Sequence, residues 1–124
     1  MVVFKHEHTA FFDCDDTLIM WDENHSQPFE GCVAVTCPHD GKTSYHRPHK
    51  RHISFLKKQA AKGMGVVVWS AAGVGWAKAV VEALGLQDLN ILVVSKPTKC
   101  IDDLKDPGDI LPKIMYLNEE GYSS

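Results

Sequence analysis

Residues 11–18 read Phe-Phe-Asp-Cys-Asp-Asp-Thr-Leu. Two apolar residues deliver a carboxylate, Asp13. A second, Asp15, follows two positions later, and a hydroxyl, Thr17, closes the group. Three further apolar runs end in polar residues, at Ser70, at Lys96 and at Asp102-Asp103. Phosphoryl transfer needs a nucleophile, neutralisation of the phosphoryl oxygens and a proton for the leaving oxygen. The four run ends supply these parts. Asp13 can attack phosphorus and form an aspartyl-phosphate. Asp15 can protonate the leaving group and then deprotonate water. Ser70 can hydrogen-bond a phosphoryl oxygen, and Lys96 can neutralise the transferred group. Asp102 and Asp103 are hard oxygen donors suited to Mg²⁺. Several carboxylates beside one lysine repel one another, and a divalent cation would relieve that conflict. Asp-rich tripeptides are also ordinary in turns and at helix N-caps. The chemistry therefore depends on the elements that hold these residues.

A short apolar run that stops at an acid fits a buried parallel strand presenting its C-terminal end, where open α/β sheets bind ligands. His8–Phe12 is the first such strand, with Val2–Lys5 a short edge strand before it. Residues 22–29 are polar and loop-like. Cys32–Val35 and Thr43–His46 read as strands joined by a turn containing Asp40-Gly41, a strong hairpin signal. Pro48 opens a helix through about Lys62, with Ile53, Phe55, Leu56, Lys57 and Ala60 on its inner face. Gly63 and Gly65 end that helix. Val66–Trp69 is the next strand, ending at Ser70. Val74–Leu84 is a helix with Trp76, Ala77, Val80, Val81 and Leu84 on one face, capped by Gly85. Ile91–Val94 is a third strand, and Lys99–Ile101 a short fourth one leading to Asp102-Asp103. The tail holds one more apolar run, Ile114–Leu117. Alternation of strand and helix predicts an α/β fold, a doubly wound Rossmann-like parallel sheet. Its strand ends, Asp13, Ser70, Lys96 and Asp102, should converge on one edge.

The order Asp-x-Asp-x-Thr, strand-Ser, Lys-Pro, strand-Asp-Asp resembles the four motifs of haloacid-dehalogenase (HAD) phosphatases, from Phe11 to Asp103. The resemblance implies that Asp13 is the nucleophile and Asp15 the acid/base. It implies phosphate binding by Thr17, Ser70, Ala71 and Lys96. It also implies a Mg²⁺ cofactor held by Asp13, Asp15 (through its backbone carbonyl), Asp102 and Asp103, with Asp103 favoured for direct contact. Only five residues separate Lys96 from Asp102, where many relatives place a helix; some small members share the compact layout.

Such enzymes usually choose substrates with a cap domain. Between Ser70 and Lys96 there is room for one helix and one strand only. Residues 22–48 suffice for a loop and hairpin flap, not a domain. The expectation is thus a single domain over 1–124, capless, hydrolysing phosphate monoesters through an aspartyl-phosphate. An open site favours large substrates: a phosphorylated protein, a nucleic-acid end or a glycan. A small ester closed off by an oligomeric neighbour fits as well. The alternatives are a polynucleotide 3′-phosphatase and a catalytically silent domain that binds phosphate or a partner.

Composition bounds these readings. The 124 residues make one domain, 44% hydrophobic and 23% charged, with net charge −3. Bulk charge gives no support to a nucleic-acid binder. No apolar span is long enough for a transmembrane helix, and no signal-peptide layout is visible. Four scattered cysteines suggest a reduced, cytoplasmic chain. Cys14 reads as a packed side chain beside the nucleophile. Trp69 and Trp76 read as core, and Asp106 and Asp109 as turn residues. Cys32, Cys37, His39, His46, His49 and His52 crowd the hairpin, but their spacing lacks a paired zinc-ligand frame. Lys42, Arg47, Lys50 and Arg51 concentrate positive charge there. That charge could steer a polyanionic substrate or simply be a solvated helix start.

Overall fold

The computed structural model describes residues 6–22, 24–111 and 113–119. Its elements are β1 (Thr9–Asp13), β2 (Ile19–Met20), β3 (Val33–Thr36), β4 (Thr43–Pro48), α1 (Lys50–Ala61), β5 (Gly65–Ser70), α2 (Val74–Ala83), β6 (Ile91–Ser95) and α3 (Pro107–Ile110). The Val- and Ile-rich runs form strands because branched side chains suit a pleated, buried surface. β1, β5 and β6 make a parallel sheet in the order β1-β5-β6, with Phe12 beside Val68 and Val68 beside Val93. The expected edge strand Val2–Lys5 lies outside the described residues.

Alternation along the strands gives the sheet two faces. Ala10, Phe12, Val66, Val68, Ile91 and Val93 join the core together with Leu56 of α1 and Trp76, Ala77 and Val80 of α2. Leu56, Val66, Val68 and Val80 are fully buried, each worth about 1.5–3 kcal/mol of transfer free energy. Both crossovers move the same way across the sheet, so right-handed connections put both helices on this face. Ile53 and Lys57 of α1 and Ala83 of α2 accordingly line one crevice. These elements complete one winding; a second, on the opposite face, is not among the described elements. That face carries Phe11 and Trp69, whose rings pack 4.5 Å apart, and the buried Val67.

Both helices end in the same left-handed glycine cap. Gly63 N donates to Ala60 O and Met64 N to Gln59 O; Gly85 N donates to Glu82 O and Leu86 N to Val81 O. The start of α1 differs from expectation. Pro48 is the last residue of β4, opposite Ile19, and needs no ladder donor there. The helix begins at Lys50, with His49 as N-cap: its Nδ1 accepts from His52 N at 3.1 Å.

The hairpin forms as the Asp-Gly signal requires, within a second, antiparallel sheet ordered β2-β4-β3. Cys37 N donates to Lys42 O at 2.8 Å, and Asp40 Oδ1 accepts from Lys42 N at 2.9 Å. Its tip reaches the first turn of α2: a Cβ on Gly75 would come within 3.0 Å of Pro38 Cγ. The fourth core strand expected at Lys99–Ile101 is a correction. Those residues take no strand conformation, and Ile101 is wholly exposed. Cys100 and Ile101 are both exposed, so the segment buries nothing that would hold a strand.

The run Ile114–Leu117 forms no regular element but docks at its end on two stacked imidazoles, His49 and His52, 3.7 Å apart. His52 Nε2 accepts from Leu117 N at 2.8 Å, so its proton sits on Nδ1 and is donated to Thr17 O at 2.7 Å. His49 Nδ1 is the cap acceptor, so its Nε2–H donates to Leu117 O at 3.1 Å. Tyr116 sets its ring edge-on to both. The network needs both imidazoles neutral.

Burial, then the neighbouring His52, holds His49 below the usual histidine range, and burial does the same to His46. In the unfolded chain these groups take up protons near pH 6.5; folded, they do so only at lower pH. The unfolded state therefore binds more protons in that window, and stability falls as pH falls below the ordinary histidine value. Urea midpoints at about pH 7.5 and about pH 5.5 should differ, the lower pH giving the lower midpoint. Equal midpoints would show that neither imidazole is held neutral by the fold.

Candidate active site

The C-terminal ends of three parallel strands share one edge, and the structure brings Asp13, Ser70 and Lys96 to it. Lys96 Nζ lies 3.7 Å from Asp13 Oδ1, and Thr17 Oγ1 donates to Asp13 Oδ2 at 3.4 Å. Both contacts are long and both partners of the ion pair are partly exposed, so the pair is screened by solvent. Lys96 N donates to Ser70 O at 2.9 Å, extending the β5–β6 pairing to the site. Ser70 is fully buried, and its Oγ accepts from Ala72 N at 3.0 Å, leaving the hydroxyl proton to donate. Ala71 follows, exposed in the turn to α2. Sequence reasoning missed Ser95, whose Oγ accepts from Val74 N at 2.9 Å. It supplies from the next strand the cap that Gly73 cannot.

The loop after β1 is wound about one carbonyl. Cys14 O accepts from the amides of Thr17, Leu18 and Ile19 at 3.2, 2.9 and 3.1 Å. Asp16 takes φ 59°, a left-handed conformation that aspartate tolerates. Leu18 and Ile19 are fully buried beneath the loop, and His49 N donates to Leu18 O. Cys14 is the packed side chain expected: burial first, then Asp15 and Asp13, push its thiol up to about 12.

Asp15 is held by groups that sequence reasoning missed in whole or in part. Its Oδ1 accepts from Trp21 Nε1 at 2.8 Å and from Trp76 Nε1 at 3.0 Å. Trp76 is core, as expected, but also a donor to the site. Trp21, 41% exposed, was not singled out at all. Its one signal was an indole N–H three residues past Leu18, which needs an acceptor once partly buried. Trp21 N also donates to Asp16 Oδ1 at 3.0 Å, and His46 packs 4.3 Å from the Trp21 ring.

Asp102 and Asp103 are not brought to this group. Both are exposed, and Asp102 Oδ1 accepts from Leu104 N in its own turn, which holds its carboxyl below the usual range. Among the described residues no cluster of three or more His, Cys, Asp or Glu could hold a metal ion, around the hairpin or around Asp13. Of the basic run, both arginines are engaged, while Lys42 and Lys50 are exposed. Arg47 pairs with Asp22 at 3.1 Å and with Glu119, and Arg51 donates to Asn118 O at 3.2 Å. Among the described residues no helix is long and apolar enough to cross a membrane. Comparison of the chain with protein-family models, curated proteins and solved structures finds no match.

The thiols give a direct check on the loop. All four cysteines are free; Cys14 is buried and Cys100 exposed. In the native protein at neutral pH, Cys100 should alkylate rapidly and Cys14 should resist until denaturant is added, as mass spectrometry of the peptides would show. Equal labelling of the two would mean that the loop does not close over Cys14.

Proposed function

We propose that the chain is a Mg²⁺-dependent phosphatase that hydrolyses phosphate monoesters through an aspartyl-phosphate. The observation that carries this reading is the set at the sheet edge: Asp13 between Lys96 and Thr17, with Asp15 two residues on in the loop that follows β1. In the first step an Asp13 oxygen attacks phosphorus, the ester P–O bond breaks, and Asp15 gives its proton to the leaving oxygen. In the second, Asp15 takes a proton from water, whose oxygen attacks phosphorus and breaks the Asp13–P bond. Lys96, Thr17, the Ser70 hydroxyl and the backbone at Ala71 are the groups at hand for the phosphoryl oxygens. A doubly wound core with residues 22–48 as flap belongs to the same reading; the approach of Pro38 to the first turn of α2 supports the flap, while the second winding rests on the resemblance of the motifs alone.

The residues as arranged do not fit the metal: Asp102 and Asp103 stand apart from Asp13 and Asp15. No step above runs through it. Mg²⁺ enters on the resemblance of the motifs alone, and thermal melts with Mg²⁺ against EDTA test it. Metal at ~100 times its dissociation constant would add about 2.7 kcal/mol. That gain should disappear when Asp102 and Asp103 are both replaced by Asn; equal melting with and without Mg²⁺ would refute the cofactor.

The scattered Asp102 and Asp103 favour one rival, a domain that binds phosphate without turnover. Hydrolysis of p-nitrophenyl phosphate separates the two. Wild type should turn over, and Asp13→Asn should fall to background at an unchanged melting temperature, since a carboxamide is a poor nucleophile. Turnover by Asp13→Asn equal to wild type would remove this mechanism. For a polyanionic substrate the patch is reduced but not removed: Arg47 is paired with Asp22 and Glu119, whereas Lys42, Lys50 and Arg51 have no acidic partner among the described residues.

A further inference from the structure

A carboxylate oxygen has two in-plane lone pairs. Those of Asp15 Oδ1 are matched by two indole N–H groups from distant parts of the sequence: Trp21 just after β2 and Trp76 in the first turn of α2. Neither donor is adjustable. Trp76 is buried in the core. Trp21 is fixed through its own amide on Asp16 and between Trp76, 6.1 Å away and stacked, and His46. Oδ2 of the same carboxyl has no hydrogen-bond partner among the described residues, and Asp15 is partly exposed. The two oxygens of one carboxyl group are thus made unequal.

We propose that Trp21 and Trp76 are positioning residues that occupy Asp15 Oδ1 and so make Oδ2 the oxygen that gives and takes the proton. The proposal rests on the phosphatase reading and deepens it. A proton on Oδ1 would have to displace an indole donor, whereas a proton on Oδ2 meets no competitor. The carboxyl also cannot turn about its Cβ–Cγ bond without breaking both indole contacts. The acid proton therefore stays on one oxygen, in one place. In the first step that proton moves from Oδ2 to the leaving oxygen as the ester P–O bond breaks. In the second, the same Oδ2 removes a proton from water as its oxygen bonds to phosphorus. Oδ1 accepts the indole hydrogens throughout.

A leaving-group series reads this directly, because p-nitrophenolate departs with little help from an acid while an alkoxide needs the proton. The measurement is kcat/KM, which reports the step that breaks the ester bond. Trp21→Phe keeps a ring and loses the donor. It should lower kcat/KM about tenfold for an alkyl phosphate and about threefold or less for p-nitrophenyl phosphate, part of the 10²–10⁴ that general acid catalysis supplies. In an Asp15→Asn background the same substitution should make no further difference on the alkyl ester, since the group it positions is gone. Trp76→Phe, run in parallel, should show the same leaving-group dependence, so that instability of one variant leaves the other to decide. An equal loss on both substrates, or none on either, would overturn the proposal and leave the indoles as packing. Absence of turnover by the wild type on every ester would instead reject the phosphatase reading, and the proposal with it.

Discussion

One backbone carbonyl, that of Cys14, sets the geometry of the sheet edge. It gathers three successive amides, and doing so turns the chain back on itself within a few residues of β1. A buried carbonyl so fully paired is costly to disturb, and Leu18 and Ile19 seal it from below. Everything polar on the loop then has a fixed place: Asp13 before the turn, Asp15 on its shoulder, Thr17 inside it. The conformation depends on Asp16 taking a left-handed backbone, which few residues other than glycine, asparagine and aspartate do readily. The run of acids thus has two duties. Asp13 and Asp15 present carboxylates, and Asp16 makes the bend that presents them.

How much of this the sequence discloses follows from the range of the interactions. The three core strands, both long helices and the hairpin are visible because period, branched side chains and glycine caps are local. Asp13, Ser70 and Lys96 could be placed on one edge because parallel strands leave no other choice. What failed was less local. Pro48 looked like a helix opener until β2, only two residues long, claimed it as a partner. Lys99–Ile101 read as a short strand leading to Asp102-Asp103, yet its residues bury nothing. The indole clamp on Asp15 spans 61 positions from Trp76, and no periodicity signals a contact of that kind.

The basic run before and within α1 shows why charge counted along a sequence misleads. Arg47 and Arg51 stand in a cationic stretch, yet the folded chain spends them on Asp22, Glu119 and Asn118. Histidine does the same with polarity. His49 and His52 stood in a Cys/His cluster whose spacing gave no zinc-ligand frame. In the fold they are neutral joints: one caps α1, the other ties Thr17 to the tail, and each ring nitrogen has its partner. Because His52 holds the Thr17 carbonyl, the tail's docking and the loop's conformation share one side chain.

The two carboxylates that the phosphatase reading pairs are held very differently, and the difference fits the tasks which that proposal gives them. Among the described residues Asp13 has only a lysine at 3.7 Å, screened by solvent, and a hydroxyl at a long 3.4 Å. A nucleophile gains from such loose partners, since its oxygen must leave them to bond to phosphorus. Asp15 is gripped at 2.8 and 3.0 Å by rigid aromatic donors. A proton donor bonds to nothing; its efficiency depends on standing at hydrogen-bond distance from an atom that moves only slightly. A loop that fixes the second carboxylate and leaves the first free is therefore what acid-assisted displacement requires. The reverse arrangement, a clamped Asp13 beside a mobile Asp15, would serve neither step.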